Sequence, residues 1–164
     1  MLLIPCLFVL GALPQQPLLP SFTITTKVFE VPEGTKVTRE NTDSLSSAKI
    51  LLQPTIAALS GNKGEMFIGD EIKYTIDEKT TGVAHSGWRI AATASEDKNG
   101  MIRLVFHSEW SYITGWYQKL PQISTRFVDT ISLLKSGEKA LVPFGKSENK
   151  LPLYALVTVT RDNR

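Results

Sequence analysis

Two histidines are the residues of this 164-residue chain best suited to catalysis. His85 precedes Ser86 and Gly87, and a serine with a nearby histidine is the simplest nucleophile with its base. Neighbours on a strand point to opposite faces, however, and the Gly-x-Ser-x-Gly turn that exposes a hydrolase serine is absent. We therefore expect a turn or strand-edge histidine, and a small hydrolase using His85 or His107 ranks third among the functions considered.

The sequence offers little evidence for a metal site or a cofactor site. His107, Glu109 and His85 are potential ligands, but two histidines without helical or hairpin spacing make a weak metal site. Cys6 is the single cysteine, which excludes an internal disulfide and a cysteine-based metal site. The turn glycines match no nucleotide-binding fingerprint. We expect that the protein binds no cofactor and is not an enzyme.

An aromatic cluster is the remaining candidate for ligand binding. Trp110, Tyr112, Trp116 and Tyr117 surround Gly115. Such a cluster could bind a ligand, or lie at a membrane interface as an aromatic girdle. It could equally pack the end of a hairpin or a subunit contact, and we favour this third interpretation.

Composition and length limit the class of protein. The chain has the length of one domain and can bury a core. Its formal charge of +2 is the small difference between 18 basic and 16 acidic residues. The sequence lacks a basic run with interleaved aromatic residues, which would be needed to predict nucleic-acid binding. The apolar run Met1–Leu13 is too short to span a bilayer and fits a secretory signal, although no basic residue precedes it. We predict a signal peptide and linker over residues 1–20 and one β-domain over residues 21–164.

The elements that must position these residues are mostly strands. Phe22–Val31 is rich in strand formers, and Glu65–Ile68 and Glu71–Ile76 read as two strands separated by Gly69 and Asp70. Pro54 argues against a central strand at its position. The run Glu40–Lys49, with capping residues near its start, predicts the one short helix.

One hairpin and one further strand–turn–strand segment are predicted most clearly. Asn99-Gly100 supplies the positive backbone dihedrals of a tight turn, and Ile102, Leu104 and Phe106 follow it on one face of a strand. The segment 121–145 reads as a strand, a turn at 135–138 and a second strand. In its first strand, apolar and polar residues alternate: Ile123, Phe127, Ile131 and Leu133 against Ser124, Arg126, Thr130 and Ser132. The fold class is mainly β with one short helix, built from antiparallel hairpins.

Three stretches resemble the C-terminal β-domain of the secretins, the ring-forming outer-membrane channels of bacterial type II and type III secretion systems. Residues 49–72 are similar to the family's proline-containing entry strand, polar turn and strand ending in Gly-x-Glu. Residues 82–109 resemble a strand pair around an Asn-Gly turn. In 121–145, Thr125-Arg126 resembles a short Thr-Arg element and Ser136-Gly137-Glu138 a conserved turn.

Particular residues are candidates for structural or assembly roles. Because Arg126 lies on the polar face of its strand, it should pair with an acidic neighbour or an adjacent subunit, and Asp129 is a candidate partner, either across strands or between subunits. The candidates are Pro54, Gly61, Gly69, Glu71, Thr125, Arg126, Gly137 and Glu138.

The resemblance also sets the expected function. The family's central gate, outer lip and N-terminal ring domains have no counterpart here, so we expect the strand-forming unit alone. That implies a non-enzymatic, exported β-domain, a component or relic of a bacterial secretion or pilus assembly channel. Its partners are then proteins, through self-assembly or docking on a larger secretion complex, in the periplasm or outer membrane. A soluble periplasmic binding or interaction module is the alternative. Without the lip we do not expect stable insertion in the outer membrane.

Overall fold

The computed structural model describes residues 19–162, which form two antiparallel β-sheets. The predicted signal peptide therefore lies almost wholly outside the described residues. Within 19–162 no helix is long and apolar enough to cross a membrane. The strands are β1 (Ser21–Glu30), β2 (Lys49–Leu52), β3 (Thr55–Leu59), β4 (Lys63–Thr75), β5 (Thr81–Glu96), β6 (Ile102–Tyr117), β7 (Leu120–Leu134), β8 (Lys139–Lys146) and β9 (Pro152–Asp162).

The first sheet has five strands and is centred on β1. Strands β9 and β8 follow one another on one side of β1, while the short strands β2 and β3 both pair with its other side. Pro54 lies between β2 and β3, where the missing amide hydrogen breaks no ladder. Its carbonyl still accepts a hydrogen bond from the Thr26 amide at 2.9 Å. The prediction that no central strand passes through Pro54 is confirmed.

The second sheet is a meander of four long strands in the order β4-β5-β6-β7. The Asn99-Gly100 turn joins β5 to β6 as predicted, with Gly100 at a φ of 74°. In contrast to the prediction, β4 runs through Gly69 and Asp70 without a break. Gly69 pairs directly with Gly87 of β5, whose φ is 149°. Two glycines facing each other let the backbones approach closely, so the strand continues.

The core lies between the two sheets. Alternate residues of β1 and β9 meet alternate residues of β5 and β6, as the period of two requires. Fully or almost fully buried side chains from both sheets form one cluster: Phe22, Ile24, Val28, Ile90, Ile102, Leu104, Phe106, Val157 and Val159. Burial of each large apolar side chain contributes about 1.5–3 kcal/mol.

The predicted helix at Glu40–Lys49 is wrong, because this segment forms consecutive turns before β2. Its short polar side chains bond to nearby backbone groups and so replace the helical pattern. The Asn41 side chain accepts from the Thr38 amide and donates to the Lys36 carbonyl, at 2.8 and 2.9 Å. Leu45 and Ala48 still face inward and pack against Phe29, Val31 and Leu156 on the outer face of the first sheet. The mainly-β class is confirmed.

Candidate functional site: the edges of the four-stranded sheet

The four-stranded sheet ends in two long strands that each pair on one side alone. Within residues 19–162, β4 pairs with β5 and β7 with β6, and no other described strand pairs with either. They contain 13 and 15 residues, so each edge is roughly 45 Å long. Each exposes a row of backbone donors and acceptors, which is the usual template for adding another strand.

The β7 edge is strongly apolar on its outer face, the face turned away from the first sheet. The predicted alternation is confirmed, but the apolar row faces outward and the polar row faces the first sheet. Four large apolar side chains are between 44 and 69% exposed: Ile123, Phe127, Ile131 and Leu133. Thr125 and Asp129 interrupt this row on the same face. Four large exposed apolar side chains along one strand still mark an interaction surface more often than a random scatter does.

The β4 edge carries Gly69 and Glu71, two of the predicted assembly residues. A Cβ atom at Gly69 would collide with the Ser86 carbonyl oxygen and the Gly87 Cα. Gly69 is therefore required by the close approach of β4 to β5. Glu71 lies opposite His85 and is exposed, as are the neighbouring Phe67 and Ile68.

A polar network crosses the outer face between the two edges. The His107 ring lies between two carboxylates, with Nδ1 2.7 Å from Asp129 Oδ1 and Nε2 4.0 Å from Glu109 Oε2. On the β4 side, Glu65 pairs with Lys63 at 2.6 Å and Arg89 at 3.6 Å. The hydrogen bond from Lys63, with its charge, holds the pKa of Glu65 below the usual value. The outer face is thus charged at its centre and apolar along β7.

Arg126 lies on the opposite, inner face of β7. Its guanidinium is 5.7 Å from the centre of the Trp110 ring and 5.8 Å from that of Tyr112. It donates to the Tyr112 hydroxyl at 3.3 Å and to the Lys146 carbonyl. The predicted ion pair with Asp129 of the same chain is wrong, since residues three apart on a strand project from opposite faces. Pairing of Arg126 with an adjacent subunit stays a prediction.

The arginine completes an aromatic stack that sequence analysis did not identify. Trp88 of β5 and Trp110 of β6 are stacked with ring centres 5.3 Å apart, and Phe144 and Tyr112 extend the stack at 5.0 and 4.7 Å. The signal was present in the sequence. A hairpin centred on Asn99 places Trp88 opposite Trp110, because each is 11 positions from the turn. The predicted cluster of four aromatics is divided, with Trp116 and Tyr117 exposed near the β6–β7 turn.

The other predicted residues are distributed over both sheets. The Thr125 hydroxyl lies 3.0 Å from that of Ser111 on the outer face of β7. Gly137 and Glu138 form the β7–β8 turn, where Gly137 has a φ of 82° and Glu138 accepts from the Lys135 amide at 2.9 Å. Gly61 forms the β3–β4 turn at a φ of 79°. The structure thus brings Gly69 and Glu71 to one edge and Thr125 and Arg126 to the other, while Pro54 lies between β2 and β3 beside the first sheet.

The two histidines do not form one site. Gly87 pairs with Ser111, so His85 lies about six residues, roughly 20 Å, along the sheet from His107. His85 makes an edge contact with the Phe67 ring at 5.5 Å. In the part of the chain that the structure describes, no three histidine, cysteine or acidic side chains group together in a way suited to a metal ion.

Solved structures share this arrangement of strands. A chain of the Klebsiella pneumoniae type II secretion system outer-membrane complex (PulD, PulS and PulC HR domain) matches over 89% of this chain. The TM-score is 0.57 and the identity 11%. The type II secretion system secretin GspD of E. coli K12 matches over 90%, with a TM-score of 0.52 and 12% identity. The chain has the fold of a secretin β-domain.

The similarity to secretins lies in the fold. No protein-family model and no curated protein sequence matches the chain. The matched region spans 41% of the Klebsiella chain and 50% of the E. coli chain. The secretin β-domain that sequence analysis proposed from three short stretches is therefore confirmed as a fold over about nine-tenths of the chain.

Proposed function

We propose that the protein is a non-enzymatic, exported secretin-like β-domain whose copies associate through the β4 and β7 edges. The observation that carries the proposal is the pair of long, unpaired edges on a single four-stranded sheet. The secretin fold supports it, because the matched proteins belong to type II secretion systems. The product is a ring or arc of sheets within a bacterial secretion or pilus assembly channel.

Strand direction permits this association. Each neighbouring pair in the sheet is antiparallel, so β4 and β7 run in opposite directions. Setting β7 of one copy beside β4 of the next therefore makes another antiparallel pair. Because each copy contributes an even number of strands, the up-and-down alternation of strand direction continues through every copy. A head-to-tail contact of this kind closes into a ring when the rotation between neighbouring copies divides a full turn evenly.

The proposal includes location and partners. Export would depend on the signal peptide predicted in residues 1–20, which leads to the periplasm or outer membrane. The Klebsiella complex contains PulD, PulS and the PulC HR domain. We propose by analogy that this β-domain also acts with protein partners.

A monomeric periplasmic interaction module is the second candidate, and the β4 edge favours it. That edge carries charged side chains that flank its centre, and charges on an edge strand oppose uncontrolled pairing. These residues are Lys63, Glu65, Asp70, Glu71 and Lys73.

Light scattering after size-exclusion chromatography in mild detergent separates the two candidates. Edge association predicts a discrete species of several subunits, which Phe127→Lys should shift toward monomer. Leu59→Lys is the matched control, because Leu59 is an exposed apolar residue at an edge of the other sheet. A monomer at every concentration would exclude self-association and favour the periplasmic module.

A further inference from the structure

A groove lies at the end of the four-stranded sheet where β4 ends and β6 turns into β7. Its volume is about 640 Å³. Five described residues line it, and we call it the distal groove. They are Lys73, Tyr74 and Thr75 from the end of β4, Trp116 from the end of β6 and Lys119 from the β6–β7 turn.

The chemistry of the distal groove suits an anion. Each of the five lining side chains ends in a group that donates hydrogen bonds, and two of them are ammonium groups. None of these five is a carboxylate. The Asp77 carboxylate in the adjacent turn accepts hydrogen bonds from the Lys79 and Thr80 amides at 2.9 and 2.8 Å. Two positive charges with neighbouring hydrogen-bond donors match the oxygens of a phosphate group.

The backbone around Lys119 gives an independent indication. Gln118 and Lys119 form the two-residue turn between β6 and β7 at φ values of 46° and 68°. Turns of this kind favour Asn-Gly, because a positive φ strains most other residues. Strain of this sort is typical of functional positions. Lys119 occupies a position that glycine would fill with less strain, and its side chain lines the groove.

The residues around the distal groove indicate which kind of molecule carries the phosphate. Trp116 and Tyr117 are 55 and 61% exposed at the end of β6, and Ile76 is 52% exposed after β4. Exposed tryptophan and tyrosine beside lysine is the composition of protein surfaces at the membrane interface. We propose that the distal groove binds the phosphate of an anionic lipid headgroup. This binding does not require the β4–β7 association.

Vesicle co-sedimentation of the full chain tests the proposal. The probes are phosphatidylcholine vesicles with and without phosphatidylglycerol. A lysine near an anionic surface strengthens binding about fivefold, so the double variant Lys73→Gln/Lys119→Gln should bind phosphatidylglycerol roughly 30-fold more weakly. Lys79→Gln is the matched control, because Lys79 is an exposed lysine of the neighbouring turn that is not among the lining residues.

Lys119→Gly separates binding from folding. It should raise the melting temperature by relieving the strained φ and yet weaken vesicle binding, which a merely structural role would not predict. Equal binding to both vesicle types, or equal losses in the double variant and in Lys79→Gln, would overturn the proposal. Lysine-dependent saturation by inorganic phosphate without lipid would identify a soluble ligand and overturn the lipid assignment.

Discussion

Asp129 lies 2.7 Å from His107 on the neighbouring strand, whereas Arg126 of the same strand projects from the other face of the sheet. Because successive side chains of a strand point to opposite faces, the two faces of β7 make different contacts. On the outer face, Asp129 joins a charged network beside an exposed apolar row. On the inner face, Arg126 holds the aromatic stack against the end of β8.

Replacing Arg126 by methionine should destabilise the fold by about 1 kcal/mol, because the cation–π contacts and the hydrogen bond to Tyr112 are lost. Urea unfolding measures this change. Asp129→Asn should cost less than about 1 kcal/mol, since Asp129 is exposed. Because the two side chains do not meet, a double-mutant cycle should give a coupling near zero. A coupling of about 1 kcal/mol or more would restore the ion pair that the structure excludes.

The stacked tryptophans should be energetically coupled. Trp88→Ala and Trp110→Ala each remove a buried aromatic and should cost about 3–5 kcal/mol. The double variant should be less destabilised than the sum by about 0.5–1.5 kcal/mol, measured by chemical unfolding. Where the alanine variants fail to fold, the pair Trp88→Phe and Trp110→Phe replaces them, with near-ultraviolet circular dichroism as the second readout. Strictly additive losses would contradict the stack.

Gly87→Ala should destabilise the four-stranded sheet strongly. Its φ of 149° disfavours any other residue, and a Cβ atom there would meet the backbone of Ile68 and Gly69. We expect a loss of about 2 kcal/mol or more in the free energy of unfolding. Gly115→Ala is the control, since a Cβ atom at Gly115 meets only the end of the Gln122 side chain. Equal stability of the two variants would show that close approach of β4 and β5 is unnecessary.

Acid should loosen the turns that cover the first sheet. The hydrogen bond and positive charge of Lys139 hold the pKa of Asp43 below its ordinary value of 3.8. A lowered carboxyl pKa stabilises the folded state above the ordinary value, and this stabilisation is lost as the pH falls through the lower folded value. Hydrogen exchange of the Ala48 amide, which bonds to the Leu45 carbonyl, should therefore accelerate relative to its intrinsic rate at low pH.

Asp43→Asn should remove that pH dependence. In this variant the Ala48 amide should exchange as readily at neutral pH, relative to its intrinsic rate, as it does in the unmodified protein at low pH. Asp77→Asn is the control, because its lowered pKa comes from capping the distant β4–β5 turn. An unchanged pH profile for Ala48 in Asp43→Asn would show that the contact with Lys139 does not hold the turns.

Local patterns predicted the β5–β6 hairpin and the turn between β7 and β8, but not that β7 and β8 lie in different sheets. Alternation gave the inner residues of β6, and the Asn99-Gly100 turn fixed the register that places Trp88 against Trp110. Pro54 was correctly excluded from a central strand. These outcomes depend on the period of two and on turn chemistry, both of which act over a few residues.

The features that the sequence did not predict depend on tertiary structure. Alternation along β7 separates two faces but does not say which one another sheet covers, so the exposed apolar row was not foreseen. Gly69 reads as a strand breaker until Gly87 is placed beside it. The predicted helix at 40–49 is wrong because the Asn41 side chain bonds to the backbone of the preceding residues Lys36 and Thr38 and so stabilises a turn. The distal groove combines Lys73 and Lys119 from distant segments.

Cross-linking between two single-cysteine variants tests the central claim, that β4 of one copy pairs with β7 of another. One variant carries Glu71→Cys on β4 and the other Thr125→Cys on β7, both with Cys6→Ser, which removes the one native cysteine. With a flexible bismaleimide, we predict cross-linked dimers when the variants are mixed and almost none with either alone. Dimers from a single variant, or no cross-link in the mixture, would contradict head-to-tail association through these edges.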